Sequence, residues 1–298
     1  MRAIILAESS CCDLSPLTDQ IPHPLLPLTG KPILLHALEA LHRSSIRDVE
    51  VVAPNLHSQL EASIDTGPLL GMQVRFVPQM FDLRHSSEHC LIIGLRDLTD
   101  TDWNETFDEL GELEYHALVP IRMMAMGTPV ALLIPPCFEG KVSCDWFDIY
   151  HTEAIGLPID AERLVSTGSV SDYYKANFRM VRGEFKYLTP AGRALTEGHR
   201  ASPRAKVNTK SILSRHGYFG ANSKVDKSAR LHGSVILGDN VIIDKGTRVS
   251  DSIILDSTYI GVNMNCTDSI INGNLMIRVD TGVCVKLDDP MLFGTISG

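Results

Sequence analysis

Over the first eighty residues, short apolar runs alternate with segments of helical period. Residues 2–7 and 49–53 are short, mostly apolar runs of the kind that become strands buried on both faces. Between them Leu34, Leu35, Leu38 and Leu41 recur at helical spacing, which predicts a helix over residues 33–43. A further helix over 60–70 and a strand over 73–77 extend the alternation, and alternating strands and helices predict an open, doubly wound, mostly parallel sheet. Five prolines between Pro16 and Pro32 demand an ordered but irregular segment after the first strand. The stretch 97–114 is rich in acids and poor in apolar residues, so it reads as a solvated surface excursion. Strands are expected again at 116–121 and 129–134, and a helix at 171–181 closed by Gly183.

Beyond residue 220 the period changes. Val225, Leu231, Leu237, Ile243, Val249 and Leu255 are spaced six apart, and three residues after each comes Ser228, Ser234, Asn240, Gly246, Ser252 or Thr258. Six is the period of neither a helix nor a lone strand. It suits a triangular solenoid in which each face is one short strand, the aliphatic residue points inward and the small residue turns the corner. The period continues less strictly through Ile260, Cys266, Ile271, Ile277 and Val283, with a slip between Leu255 and Ile260 expected to mark a corner adjustment. The pattern resembles the hexapeptide repeat of left-handed parallel β-helix proteins. The basic, polar stretch 196–214, with Arg200, Arg204, Lys206 and Lys210, reads as a linker, which divides the chain into an α/β domain over 1–205 and a β-helix over 206–298.

Composition narrows the function. A formal charge of −9 over 298 residues argues against a nucleic-acid partner, which would call for a basic face. No apolar run approaches the roughly 20 residues of a membrane helix, and residues 1–7 are too short for a secretory leader, so a cytoplasmic protein with no membrane insertion is expected. Seven cysteines without a C-x-x-C pair fit reduced thiols rather than a disulfide framework or zinc site; adjacent Cys11 and Cys12 read as loop residues.

The strings Met1–Ala7, Leu14-Ser-Pro-Leu-Thr18, Pro22-His-Pro-Leu-Leu-Pro27 and Gly30-Lys-Pro32 resemble the sugar-1-phosphate nucleotidyltransferases, most of all the mannose-1-phosphate guanylyltransferase-like branch, which also carries a C-terminal left-handed β-helix. The likeness covers about the first eighty residues, weakens through 84–165, and returns around Asp172 and in the repeat. It implies a Rossmann-like α/β fold and places nucleotide or sugar contacts at Leu6, Ala7, Glu8, Lys31 and Gln79.

The family's chemistry depends on glycines that let backbone amides approach phosphate, and on cations that neutralise it during in-line attack. Here Ser9 and Cys11 stand at glycine positions, Asp13 at the position of the catalytic arginine, and His23 at that of the lysine. A carboxylate in place of a guanidinium reverses the sign of the local field. Arg84, His85 and Ser86 occupy the expected Gly-Thr-Ala turn after Gln79. No Gly-Asp step follows a central strand, and Ser166-Thr-Gly-Ser169 stands where Asp-x-Gly-Thr is expected, so magnesium would lack hard oxygen ligands.

The sequence therefore favours a catalytically inactive relative with no catalytic residue, metal or cofactor, acting as a regulatory, sensing or scaffolding subunit in nucleotide-sugar and polysaccharide metabolism. Its partners would be a second copy through the β-helix, an active pyrophosphorylase or other pathway enzyme, and a nucleotide or nucleotide sugar. One alternative is a divergent, magnesium-dependent NDP-sugar pyrophosphorylase in which Arg2, Arg84 or Lys31 replaces the lost cations. Another is a hexapeptide-repeat acyltransferase using His232, the one histidine inside the regular coils, as general base.

Overall fold

The computed structural model describes residues 1–8, 14–67, 69–79, 87–111, 121–125, 128–136, 155–158 and 160–296. The α/β part begins with β1 (Arg2–Leu6), a two-residue hairpin pair β2 (Pro27–Leu28) and β3 (Lys31–Pro32), and helix α1 (Ile33–Arg43). It continues through β4 (Asp48–Val52), α2 (His57–Ser63), β5 (Gln73–Val77), β6 (Cys90–Gly94), β7 (Asp97–Thr99) and α3 (Trp103–Gly111). The remaining elements are β8 (Ile121–Ala125), β9 (Thr128–Ile134), β10 (Ile155–Pro158), β11 (Leu164–Ser166) and α4 (Val170–Val181). The main sheet runs β10-β8-β9-β6-β1-β4-β5, all neighbours parallel except those of β9. The expected mixed, mostly parallel α/β architecture is present. Central strands β1, β4 and β6 are almost wholly buried, as their apolar residues require, and the acid within β4, Glu50, is paired with Arg75 of β5.

Three local expectations change. The second helix ends at Ser63, because Ile64 is already extended (φ −96°, ψ 116°) and the chain then turns through Asp65-Thr66-Gly67. The acidic stretch is not all surface: β7 is buried and pairs antiparallel with β11, and Trp103 is packed in the core. Asp100 belongs to that core too, its carboxylate accepting the backbone amides of Lys186, Tyr187 and Leu188 at 2.6–2.7 Å. An acid that satisfies three amides is stable where a bare one would not be. The strand expected at 116–121 is described only from Ile121 onward.

From residue 193 the chain is nearly all short strand: β12 (Arg193–Thr196), β13 (His199–Ala201), β14 (Lys206–Val207), β15 (His216–Phe219), β16 (Lys224–Val225) and β17 (Arg230–Leu237). Then come β18 (Ile242–Ile243), β19 (Arg248–Ile254), β20 (Thr258–Ile260), β21 (Asn265–Thr267) and β22 (Ser269–Asn272), closed by β23 (Leu275–Arg278), β24 (Cys284–Lys286) and β25 (Phe293–Thr295). Coil strands stack in parallel with a register of 18 residues, as in Val207↔Val225↔Ile243 and Leu231↔Val249. Three inward ladders fill the solenoid: Val207/Val225/Ile243/Ile260, Leu231/Val249/Cys266 and Phe219/Leu237/Ile254/Ile271. This is a parallel β-helix.

The repeat departs from strict sixes at a place the sequence did not show. Register shortens from 18 to 17 at Asp251, since His232 pairs with Ser250 but Val235 pairs with Ser252. The inward residue after Val249 is therefore Ile254, not Leu255, and the slip lies at the Asp251 corner rather than between 255 and 260. Gly233, Asp251 and Asp268 occupy this corner on successive coils with φ of 63°, 44° and 48°, left-handed values that Gly and Asp tolerate. The expected continuation through Ile277 and Val283 also fails: β23 and β24 return antiparallel, Ile277 packs outside the solenoid core and Val283 is half exposed.

Nor is 196–214 a linker. Strand β13 already pairs in parallel with β15, and β14 with β16, so coil pairing starts upstream of the expected boundary at 206. On the face made by β15, β17, β19 and β22, consecutive apolar residues point both ways. Tyr218, Ile236, Ile253 and Ile270 lie in the same apolar cluster as Tyr173 and Ala176 of α4, whereas their neighbours Phe219, Leu237, Ile254 and Ile271 fill the solenoid. Tyr174 of α4 donates its hydroxyl to the Asp251 carbonyl at 2.7 Å, and Asn272 donates to Gln20 at 3.0 Å.

Candidate active site

In an open parallel sheet, ligands collect beyond the carboxyl ends of the strands where the winding order reverses. Here the chain runs outward from β1 to β4 and β5, then returns to place β6 on the other side of β1. The reversal lies between β1 and β6, and the segments leaving their carboxyl ends define the candidate cleft. Ser9, Cys11, Cys12 and Asp13 of the segment after β1, and Arg84, His85 and Ser86, lie outside the described residues.

His23 reaches this place from a 3-10 turn at His23–Leu25. Its Nε2 lies 2.9 Å from Thr167 Oγ1, and the single hydroxyl hydrogen of Thr167 is directed to the carbonyls of Leu95 and Arg96 at 3.1 and 3.0 Å. The imidazole is therefore the donor, protonated at Nε2. Burial, partly offset by a hydrogen bond with the Thr167 backbone, lowers its pKa to about 4. At neutral pH it offers a phosphate no positive charge.

The segment after β6 is equally altered. The strand ends Ile93-Gly94 and is followed by buried Leu95, so the Gly-Asp step is Gly-Leu. Ser166, at the end of β11, pairs in register with Asp97 and hydrogen-bonds its carboxylate. Asp97 is buried; desolvation raises its pKa, opposed by the Ser166 bond and by Arg96, whose Nε lies 3.6 Å from Asp97 Oδ2. The Arg96 side chain lies across Gly168, where an added Cβ would come within 2.7 Å of Nε. Asp97 is charge-disfavoured, Asp172 nearby raises its pKa further and is itself bonded by Ser169, so the set is a poor one for magnesium, which takes ionised oxygens in open octahedral geometry. Among the described residues no group of three or more His, Cys, Asp or Glu side chains could hold a metal ion.

Of the other sequence candidates, Leu6 and Ala7 lie at the cleft, Leu6 in register with Gly94 of β6, while the rest are engaged within the fold or placed elsewhere. Leu6 and Ala7 are buried at the end of β1, where the Ala7 amide bonds the Val52 carbonyl. Glu8 is spent on the opening of α2: its carboxylate accepts the amides of Asn55 and Leu56 at 2.7 and 2.8 Å and the Asn55 side-chain amide at 2.9 Å. Lys31 is tied to Glu39 of α1 at 2.6 Å. Arg2 bridges Asp48, with 3.3 Å between the charged atoms. Gln79 is exposed just past β5. His232 is half-buried on β17 in the solenoid, remote in sequence and topology from the cleft.

In the string Gly30-Lys-Pro32, where the resemblance offers Lys31 as a contact, the glycine serves docking. Gly30 has φ 85°, and a Cβ there would fall 2.1 Å from the Tyr218 hydroxyl of the solenoid. That hydroxyl lies 2.8 Å from Ser202 Oγ, and the neighbouring Thr29 amide donates to buried Asn177 on α4 at 2.9 Å. The roles of Arg96, Asp97 and Thr167 were missed because each depends on a partner more than sixty residues away. Their one sequence signal was the string Gly94-Leu-Arg-Asp97 directly after a buried strand.

Residues 2–101 match the model of the nucleotidyl transferase family. A glucose-1-phosphate thymidylyltransferase of Streptomyces griseus is 30% identical over 103 residues, covering 35% of this chain and 28% of that protein. A mannose-1-phosphate guanylyltransferase of Mycobacterium tuberculosis is 27% identical over 146 residues, covering 46% of this chain and 41% of that protein. The chain thus spans less than a third of the thymidylyltransferase and under half of the guanylyltransferase. Among solved structures, HddC from Yersinia pseudotuberculosis complexed with GMP-PN aligns with a TM-score of 0.45 at 13% identity, over 60% of this chain and 98% of that one. Residues 2–101 thus match the nucleotidyl transferase family, and the curated relatives of this N-terminal region are sugar-1-phosphate nucleotidyltransferases.

Proposed function

We propose that this protein keeps the nucleotidyl transferase fold without nucleotidyl transfer, and serves nucleotide-sugar metabolism as a regulatory or scaffolding subunit that senses a nucleotide or nucleotide sugar. The observation that carries the reading is His23. At the position where the resemblance puts a phosphate-neutralising lysine, the side chain is a half-buried neutral imidazole held by Thr167. Leu95 and Ser166 in place of carboxylates support it, because no transition-state charge would be balanced by a bound divalent ion. Glu8 and Lys31, which the resemblance also offers as contacts, are engaged within the fold.

The partner of such a subunit would be a second copy or an active pyrophosphorylase, with the exposed rim of the β-helix as the associating surface. The test is pyrophosphate release by the purified protein from each nucleoside triphosphate with glucose 1-phosphate or mannose 1-phosphate and magnesium. No turnover is expected, while calorimetry with the matching nucleotide sugars detects binding. Turnover that co-purifies with the protein through successive columns would overturn the reading in favour of a divergent, magnesium-dependent pyrophosphorylase.

A further inference from the structure

The formal charge is unevenly shared. Residues 1–192 carry 14 Lys and Arg against 26 Asp and Glu, whereas residues 193–298 carry 13 against 10. Part of this basic excess gathers in one groove on the solenoid, a cavity of about 660 Å³ lined by Arg204, Lys206 and Lys224 together with Asn222, Asn240 and Ile242. It lies on the face formed by β14, β16 and β18, on the opposite side of those strands from the Val207/Val225/Ile243 ladder.

The register makes the groove a site and not a scatter of surface charge. Lys206 and Lys224 are direct partners on adjacent parallel strands, about 4.8 Å apart at the backbone. Like charges directly opposite one another cost stability. Among the described residues, neither lysine forms an ion pair with an acid of this chain. Arg204 is held beside them at a φ of 62°, its Nε bonded to Asn222 Oδ1 at 2.6 Å, and Asn222 in turn donates to Asn240 at 3.0 Å. That ladder fixes the guanidinium while leaving its terminal nitrogens for another acceptor. On the next coil the in-register position is Ile242, and Ile296 closes the groove, so a cationic end adjoins an apolar one.

We infer that this groove binds a small molecule bearing a diphosphate, with the phosphates bridging Lys206, Lys224 and Arg204 and a less polar body resting on Ile242. Two phosphates joined through one oxygen span neighbouring coil positions and accept charge-assisted bonds from all three cations. A bound anion also relieves the repulsion built into the column. The inference does not depend on whether the cleft of the α/β domain is catalytic.

Inorganic pyrophosphate titrated into the full-length protein by calorimetry at low salt is expected to bind, and Lys206→Gln and Lys224→Gln each to weaken it about tenfold. Lys210→Gln, elsewhere on the coils, should leave the affinity unchanged. Without ligand the double variant K206Q/K224Q is expected to melt no lower than the parent, which shows that lost binding is not lost folding. Tighter binding of a nucleoside diphosphate than of pyrophosphate, abolished by Ile242→Gln, identifies the organic form as occupant, and equal affinity identifies the free anion. Absence of pyrophosphate and nucleoside diphosphate binding, or binding that survives K206Q/K224Q unchanged, overturns the inference.

Discussion

His36 on α1 donates from Nε2 to the Leu28 carbonyl at 2.9 Å and is 1% exposed. Burial first, then the nearby Lys31 charge, lowers its pKa to about 3, against the smaller opposing effect of the Leu28 bond. In the unfolded chain the ring takes up a proton near pH 6.5, whereas in the native protein it stays neutral until far lower pH. Stability due to this residue is thus complete above 6.5 and declines as the pH falls toward 3, by on the order of 4 kcal/mol in full. His23, lowered to about 4, adds to the same acid lability. Urea unfolding followed between pH 7 and 4.5 should show a steep loss of stability that His36→Gln flattens; an unchanged slope in the variant would refute the assignment.

At the scale of elements, one carboxylate ties down the middle of the chain between α4 and β12, beside the buried side chains of Phe185 and Leu188. Asp100 gathers the amides of Lys186, Tyr187 and Leu188 and so fastens the end of the α/β domain to the segment after β7. Asp100→Ala would leave one buried and two part-buried amide donors without this partner and is expected to cost about 2–4 kcal/mol. Asp100→Asn, which keeps an acceptor oxygen, should recover part of this; equal losses in thermal melts would mean that the amides find other acceptors. A second element-scale device is the turn at Gly30. Gly30→Ala should destabilise the protein doubly, through its positive φ and through collision with Tyr218, and Tyr218→Ala in the same chain should rescue only the collision.

For the whole molecule, the apolar cluster shared by α4 and one outer face of the β-helix is decisive. Tyr218, Ile236, Ile253, Leu255 and Ile270 are buried against the α/β domain, so removing either half would bare a continuous apolar face. Calorimetry should therefore record one unfolding transition for the full chain rather than two, and two resolved transitions would show that the halves fold independently. The six-residue period picked out Leu237 and Ile271 of the inward column on this face but took Leu255 for Ile254. It missed the outward column, although the pairs Ile236-Leu237, Ile253-Ile254 and Ile270-Ile271 are what a strand buried on both sides requires.

What the sequence by itself determined follows from local rules. Buried strands and α1 were legible as apolar runs and a 3.6 period, and the coils as a period of six. The tertiary structure decided where residues far apart in the chain meet. It tied His23 to Thr167, Glu8 to the start of α2 and Asp100 to three amides, it seated Tyr218 on Gly30, and it turned an apparent linker into the first coil. Pairings across such separations leave no periodic trace, since each is fixed by packing and by the need to satisfy buried polar groups rather than by the neighbours of either residue.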